Sequence, residues 1–428
     1  MKNWFCIVCF CISLSIHAQE RCGFALGQLK RERDNPSWIR QKAEFEYKIR
    51  EFNKENSLEN KRIAAKVYKI PVVVHVIHNN ASNVIGGANN VNISDEQIAS
   101  QIRVLNEDYR KKTGTNGFNT SPVGSDMELE FELATKDPNG NVTNGITRTF
   151  INNNGYDITE ENQAIAKLIK WDYERYLNIW VVRSRNGIIG YSTFPYDSKL
   201  NGLETTQQDL DAQKIFDGVI IDYRNFGTCC GTLSNTYNLG RTLTHEIGHW
   251  LGLLHPTADT RCGDDFCDDT PQIESLNLNT SCVKLTSNCT GTSVQNMIEN
   301  FMDYSPDRCM NIFTNDQKKR SRAALELSQT RKRFINNLEP LPETDVLTIS
   351  TEPNPIKESA FLKTQFKGQK NVVLSVYDFR GFLIYEENYP NAQSNYFSIK
   401  TDKLRTGEYI VRVQAGEETK SQKIVVFK

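Results

Sequence analysis

Three of the six histidines in this 428-residue chain fall in one stretch, "LTHEIGHWLGLLHP", Leu243 to Pro256. His245 and His249 are four residues apart. On an α-helix that spacing stacks two side chains on one face, so both imidazoles can reach one point. Gly252 can take the left-handed conformation that ends a helix and turns the chain, and Pro256 cannot continue one, so His255 can swing back as a third ligand. Three neutral imidazoles suit zinc and leave its fourth position to water, the open arrangement of a catalytic site rather than a structural one. Glu246, beside the first ligand, is placed to take a proton from that water and return it to a leaving amine. Thr244, Ile247, Leu251 and Leu254 read as packing residues of the same helix.

At these residues a resemblance appears. "HEIGHWLGLLH" is similar to the metzincin zinc signature, and "NFMDYSPDRCM" downstream looks like the methionine turn of that clan, with Met302 as a hydrophobic floor under the metal. Within the clan, Trp250, the run "CGDDFCDDTP" and the cysteine spacing up to Cys309 resemble the pappalysin family, over roughly Lys69 to Asn337. The resemblance implies a secreted zinc endopeptidase of α+β class. Its upper subdomain would hold a twisted, mostly parallel sheet with a backing helix and the zinc helix, followed by an irregular lower subdomain. It implies disulfides Cys262 to Cys289 and Cys282 to Cys309, and a hydrogen bond from Tyr304 to the tetrahedral oxyanion; a packed aromatic is the alternative for Tyr304. It also implies a calcium site of Asp265, Thr270 and the carbonyl of Asp268, against which stands a merely solvated acidic loop. Asp307 would sit at the base of the pocket for the residue after the scissile bond and favour Arg or Lys there, unless Arg308 neutralises it.

The elements that must position these residues can be read from periodicity. "YKIPVVVHVIHN" is a strand, Ser94 caps an amphipathic helix over "SDEQIASQIRVLNEDYRKKTG", and "MELEFELAT" and "GITRTFI" are further strands. A helix in "ENQAIAKLIKWDYERYLNIWVVRSR" runs into a strand at Leu177 to Val182. "GIIGYSTFP" is the candidate edge strand that would hold an extended peptide, and "FDGVIIDYRNFG" is another strand. His75 and His78 lack metal-ligand company and read as structural.

The N-terminus, "MKNWFCIVCFCISLSIHAQE", reads as a signal peptide, 1–18, that takes Cys6, Cys9 and Cys11 with it. Residues 19–61 are polar and charged with little to build a core, and read as a propeptide. The catalytic domain is expected over 62–338. After the linker "NNLEPLPETDVL", residues 339–428 read as a small all-β sandwich. Its "EPNPI", "YDFRGFLIY", "LRTGEYIVRV" and "KIVVFK" segments resemble the sorting domain of type IX secretion substrates, with a generic adhesive sandwich as the alternative. Secretion machinery is then a partner, and the destination is the medium or the bacterial cell surface.

The near-neutral formal charge of −1 argues against nucleic acid as a partner, and no later segment is apolar enough to span a bilayer. Protein or peptide substrates remain. The pairing of Cys229, Cys230 and Cys267 stays open. Cys22, in "ERCGFAL", lies outside the expected core; it resembles the Arg-Cys-Gly segment of metzincin propeptides, whose thiolate would silence the zinc, though a free thiol or a disulfide to Cys229 or Cys230 is equally formed by such a residue. The competing functions are a zinc-containing adhesion or binding protein with a vestigial site, and a zinc amidase for small substrates.

Overall fold

The structure, a computed structural model, describes residues 21–34, 37–59, 67–138, 141–195, 215–328, 331, 344–352, 354–356, 360–392 and 394–427. The expected signal peptide lies outside these residues. Two helices lead the chain, α1 Phe24–Asp34 and α2 Ser37–Glu59. They correct the expectation that the leader has little with which to build a core. Trp38, Gln41, Phe45 and Ile49 are all buried and recur every three or four residues, a narrow stripe on an otherwise charged helix. Cys22, Phe24, Phe45 and Ile49 share a core with Phe194, Leu254, Tyr304, Ala323 and Ala324.

The strand β1, Tyr68–His78, is nearly unbroken Val and Ile because it is buried on both faces. β2 Leu129–Leu133 and β3 Ile146–Phe150 pair successively along one of its edges, and β4 Leu177–Val182 pairs along the other, all parallel. The sheet runs β2-β1-β4-β6-β5, where β5 is Gly190–Ser192 and β6 is Gly218–Asp222. Among the described strands β5 is the one antiparallel member, at the edge beside β6, where the expected substrate-holding strand belongs.

One sheet face packs Val72, Val74, Val76, Ile179 and Ile221 against the helices α3, Asp95–Tyr109, and α5, Arg241–Trp250. The other face carries Ile77, Trp180, Val182 and Ile220 under α4, Asn162–Leu168. Ser94 caps α3 by accepting from the Gln97 amide, with Asp95 and Glu96 in the first turn, where the helix dipole favours anions. α3 stops at Tyr109, short of the expected stretch, because the Tyr109 carbonyl turns to accept from Met127 N. α4 is likewise a short segment of its expected stretch.

From Leu251 to Cys309 the chain is mostly irregular, apart from the two-residue strands β7 and β8 (Thr286–Ser287, Val294–Gln295). It is tied by the disulfides Cys262–Cys289 and Cys282–Cys309, while Cys229 bonds its neighbour Cys230 and leaves Cys22 and Cys267 as buried free thiols. α6, Asn315–Leu327, closes this part with a Thr314–Gln317 capping box. Beyond it, seven antiparallel strands (Thr348–Glu352, Ala360–Gln365, Lys370–Asp378, Leu383–Ala392, Asn395–Ile399, Gly407–Ala415 and Glu418–Val426) form a three-stranded and a four-stranded sheet around their own core, including Leu362, Leu374, Val411 and Ile424.

Candidate active site

α5 begins after Gly240, which is left-handed at φ +79°, and ends in a tight turn at Gly252, φ +90°. That turn delivers His255 to the face that carries His245 and His249. The three Nε2 atoms lie 3.1 to 3.2 Å apart. Each Nδ1 is engaged elsewhere: His245 donates to the Phe301 carbonyl (2.7 Å), His249 to the Leu253 carbonyl (2.8 Å), and His255 meets Asp259 Oδ1 (2.5 Å). These partners occupy the three Nδ1 atoms, so the three Nε2 atoms converge on one point. Burial, then the neighbouring His255, pushes His245 and His249 well below the ordinary imidazole value, so both are neutral. The donor set fits zinc: nitrogen ligands about 2.0–2.1 Å from one ion have mutual spacings of this order.

Cys22 Sγ joins the cluster, all four ligand atoms lying within 4.8 Å of one another. The residue expected to sit outside the core is thus in the centre of the site, placed there by backbone pairing: Gly23 N donates to Gly190 O and Ile189 N to Arg21 O, both 2.8 Å, so the leader lies parallel along the exposed edge of β5. Phe24 stacks on the His249 ring, with centroids 3.9 Å apart. Burial, then Glu246, raises the Cys22 thiol well above its usual range.

Glu246 is buried, one of its oxygens, Oε2, has no hydrogen-bond partner, and burial pushes its carboxyl up to about 7. Gly190 is what lets it sit there, since a Cβ at that position would lie 2.6 Å from Glu246 Oε1. Gly248 plays the same part below the helix: a Cβ there would meet Met302 Sδ at 2.3 Å, which locates the fully buried Met302 under the histidines. Tyr304 is buried beside them, its ring centroid 4.9 Å from that of His255.

A small cavity, largely filled by the leader, lies next to the cluster, lined by Cys22, His245, Glu246, Tyr304, Asp307 and Arg241 among others. Asp307 is buried at its side, and its Oδ2 accepts from the Leu239 and Arg241 amides at 2.8 and 3.2 Å. Arg308 does not neutralise it, because its side chain is exposed and donates outward to the Thr280 carbonyl. Asp265 and Thr270 are buried together, the hydroxyl 2.7 and 2.8 Å from the two carboxylate oxygens, whereas Asp268 is exposed. His75 lies away from the cluster between Thr147 and Asn178, and His78 is buried at the end of β1, as expected of structural histidines.

The sequence reading missed several residues at this site. Arg21 enters the same cavity, its guanidinium 4.0 Å from the Tyr237 ring centroid and 4.9 Å from that of Tyr304, and donates to the Ser305 carbonyl (3.2 Å). Asp217 accepts from Trp250 Nε1 (3.0 Å) and from Arg331 (2.7 and 2.8 Å), while Arg331 Nε donates to the Trp250 carbonyl, tying the end of α5 to β6. Arg320 pairs bidentately with Glu46 of α2, both buried, and donates to the Gly252 carbonyl at 2.6 Å.

Residues 159–326 match the peptidase family described as pregnancy-associated plasma protein-A, and residues 340–427 match a secretion system C-terminal sorting domain. An extracellular metalloprotease of Arthroderma benhamiae is 31% identical over 269 residues, covering 62% of this chain and 76% of that protein. One from Colletotrichum graminicola is 31% identical over 259 residues, covering 60% and 76%. Among solved structures, a mutant of Tannerella forsythia promirolysin is 34% identical with a TM-score of 0.60, covering 74% of this chain and 98% of that one. Mature mirolysin in complex with a cleaved peptide is 36% identical with a TM-score of 0.53, covering 64% and 98%.

Proposed function

The chain belongs to the pappalysin family of metalloproteases and is a secreted zinc metalloendopeptidase; within that family, we propose that it cuts proteins before basic residues and is made as a thiol-silenced precursor. The observation that carries this reading is the convergence of three Nε2 atoms beside the orphaned Glu246 carboxylate. His245, His249 and His255 would hold zinc, which when bound supplies a Lewis acid that acidifies water and polarises a carbonyl.

The rest of the chemistry belongs to the side chains. Glu246, desolvated and poised near neutrality, takes the proton of the attacking water and passes it to the leaving amine. Tyr304 donates a hydrogen bond to the oxygen on which charge develops. Met302 packs beneath and takes no part. The edge of β5 bonds the substrate backbone as an added strand, and Asp307 receives the side chain after the scissile bond. A carboxylate in a buried pocket selects Arg or Lys there.

In the precursor the edge is taken by Arg21 to Gly23, and Cys22 Sγ, within 4.8 Å of the imidazole ligand atoms, would serve as a fourth ligand in place of water. Burial, then the neighbouring Glu246, raises the thiol; a zinc ion held by the three histidines would favour the thiolate instead. The proposed division is a signal peptide at 1–18, a propeptide at 19–61, the catalytic domain at 62–338 and a sorting domain at 339–428, through which the secretion machinery is engaged. Asp265, Thr270 and the Asp268 carbonyl are proposed to hold calcium. The test is to incubate the processed protein with a peptide library and read cleavage by mass spectrometry. Cuts before Arg or Lys, stopped by a zinc chelator and lost in Glu246→Ala, are expected; turnover of small amides alone, or no turnover, overturns the reading.

A further inference from the structure

Two buried charges lie beside Asp307, one lining the pocket and one behind it. Arg241, 2% exposed, lines the cavity itself. Its backbone amide donates to Asp307 Oδ2, and its guanidinium donates to Asp108 Oδ1 at 3.1 Å and to the Leu239 carbonyl at 2.9 Å. Asp108 belongs to α3 and is 1% exposed; its second oxygen accepts the Thr244 hydroxyl at 2.8 Å. A carboxylate meant to attract a cation therefore has a resident cation beside it, and a second carboxylate behind that cation.

We propose that Asp108 is a specificity-determining residue: by neutralising Arg241 it leaves Asp307 as the uncompensated charge, so the pocket floor sums to minus one and selects a cationic side chain. Without Asp108, Arg241 turns to Asp307, the floor sums to zero, and an arginine entering the pocket meets no net charge. Asp108 touches no substrate. It acts from behind α5 through Arg241. The inference rests on the reading of Asp307 given above. Burial pushes the Asp108 carboxyl up to about 7, against the pull of Arg241 and Thr244, so assays belong near pH 8, where it is ionised.

The experiment uses processed enzyme and two peptides that differ only in the residue after the scissile bond, Arg or Leu, and reads the ratio of their kcat/KM values. A fold defect lowers both rates alike and leaves the ratio alone. Asp108→Asn is expected to reduce the Arg-over-Leu ratio by about 10- to 100-fold, the scale on which one neighbouring unit charge shifts an ionic equilibrium. The double variant Asp108→Asn, Arg241→Met removes the pair together, restores a floor of minus one, and should recover the parent ratio within about threefold. An unchanged ratio in Asp108→Asn overturns the inference, and so does a double variant as unselective as the single one. Should Asp108→Asn not fold, Asp108→Ser, which keeps a hydrogen-bond partner for Thr244, takes its place: a ratio lowered about 10-fold or more supports the proposal and an unchanged one overturns it. A parent without preference for Arg, or a preference that Asp307→Ala leaves intact, instead overturns the assignment of Asp307 and this inference with it.

Discussion

Substituting Glu46 by Gln should weaken the hold of the leader on the enzyme, although Glu46 lies nowhere near the histidine cluster in sequence. Arg320 is 1% exposed and keeps its charge, so the leader must bring a carboxylate to it. Removing one partner of a buried pair costs about 3–5 kcal/mol, because the remaining charge stays desolvated. Gln retains an oxygen that can accept from the guanidinium, which places the loss at the lower end. About 3 kcal/mol corresponds to roughly 100-fold in binding. The assay adds synthetic leader peptides spanning residues 21–59, one of native sequence and one carrying Glu46→Gln, to processed enzyme and measures the inhibition constant of each. Helix content by circular dichroism should match between the two peptides. An inhibition constant raised by less than about threefold refutes the reasoning.

Glu246→Ala should keep zinc content and folding while hydrolysis falls by several orders of magnitude, since the base and the activated water act as a unit; metal analysis and peptide turnover check both halves. In uncleaved precursor, Cys22→Ala should release hydrolysis without processing, and a variant as silent as the parent refutes thiolate latency. Removing the region after about Pro340 should leave catalysis intact and trap the protein before export, so fractionation and activity must diverge. Stability should also depend on pH through Asp108, whose folded value of about 7 lies above the ~3.9 of an unfolded aspartate. Its contribution is present below the unfolded value and is lost as pH rises from about 4 to 7. Melting curves of the inactive Glu246→Ala enzyme should therefore fall more over that window than those of the same enzyme carrying Asp108→Asn.

What the sequence revealed is what chemistry makes local. His245, Glu246 and His249 share a helix face by spacing, and Gly252 marks the turn that returns His255, so the metal cluster was legible residue by residue. β4 was legible to its bounds, and β5 as an edge, because strand patterning is equally short-ranged. The disulfides Cys262–Cys289 and Cys282–Cys309 were accessible only through resemblance, since eight exported cysteines do not pair themselves. The buried ion pairs were invisible. Glu46 and Arg320 are 274 positions apart, and Asp108 and Arg241 133. With 51 cationic and 52 acidic residues in the chain, nothing local singles out one partner among so many. The stripe Trp38, Gln41, Phe45 and Ile49 was readable in principle; heavy charge on the rest of α2 hid it.

The pair between Arg331 and Asp217 bears on where anyone should cut this gene for expression. The stretch matched by the family ends at residue 326, short of Arg331. A protein trimmed there keeps all three histidines, Glu246 and Tyr304, so it would look complete by inspection of its motifs. It would nonetheless lose the guanidinium that neutralises the buried Asp217 and clasps the last carbonyl of α5. Such a fragment is expected to bind metal loosely and to melt early. A boundary drawn from motifs alone would then be mistaken for an inactive enzyme, when the fault lay just past the end of the match.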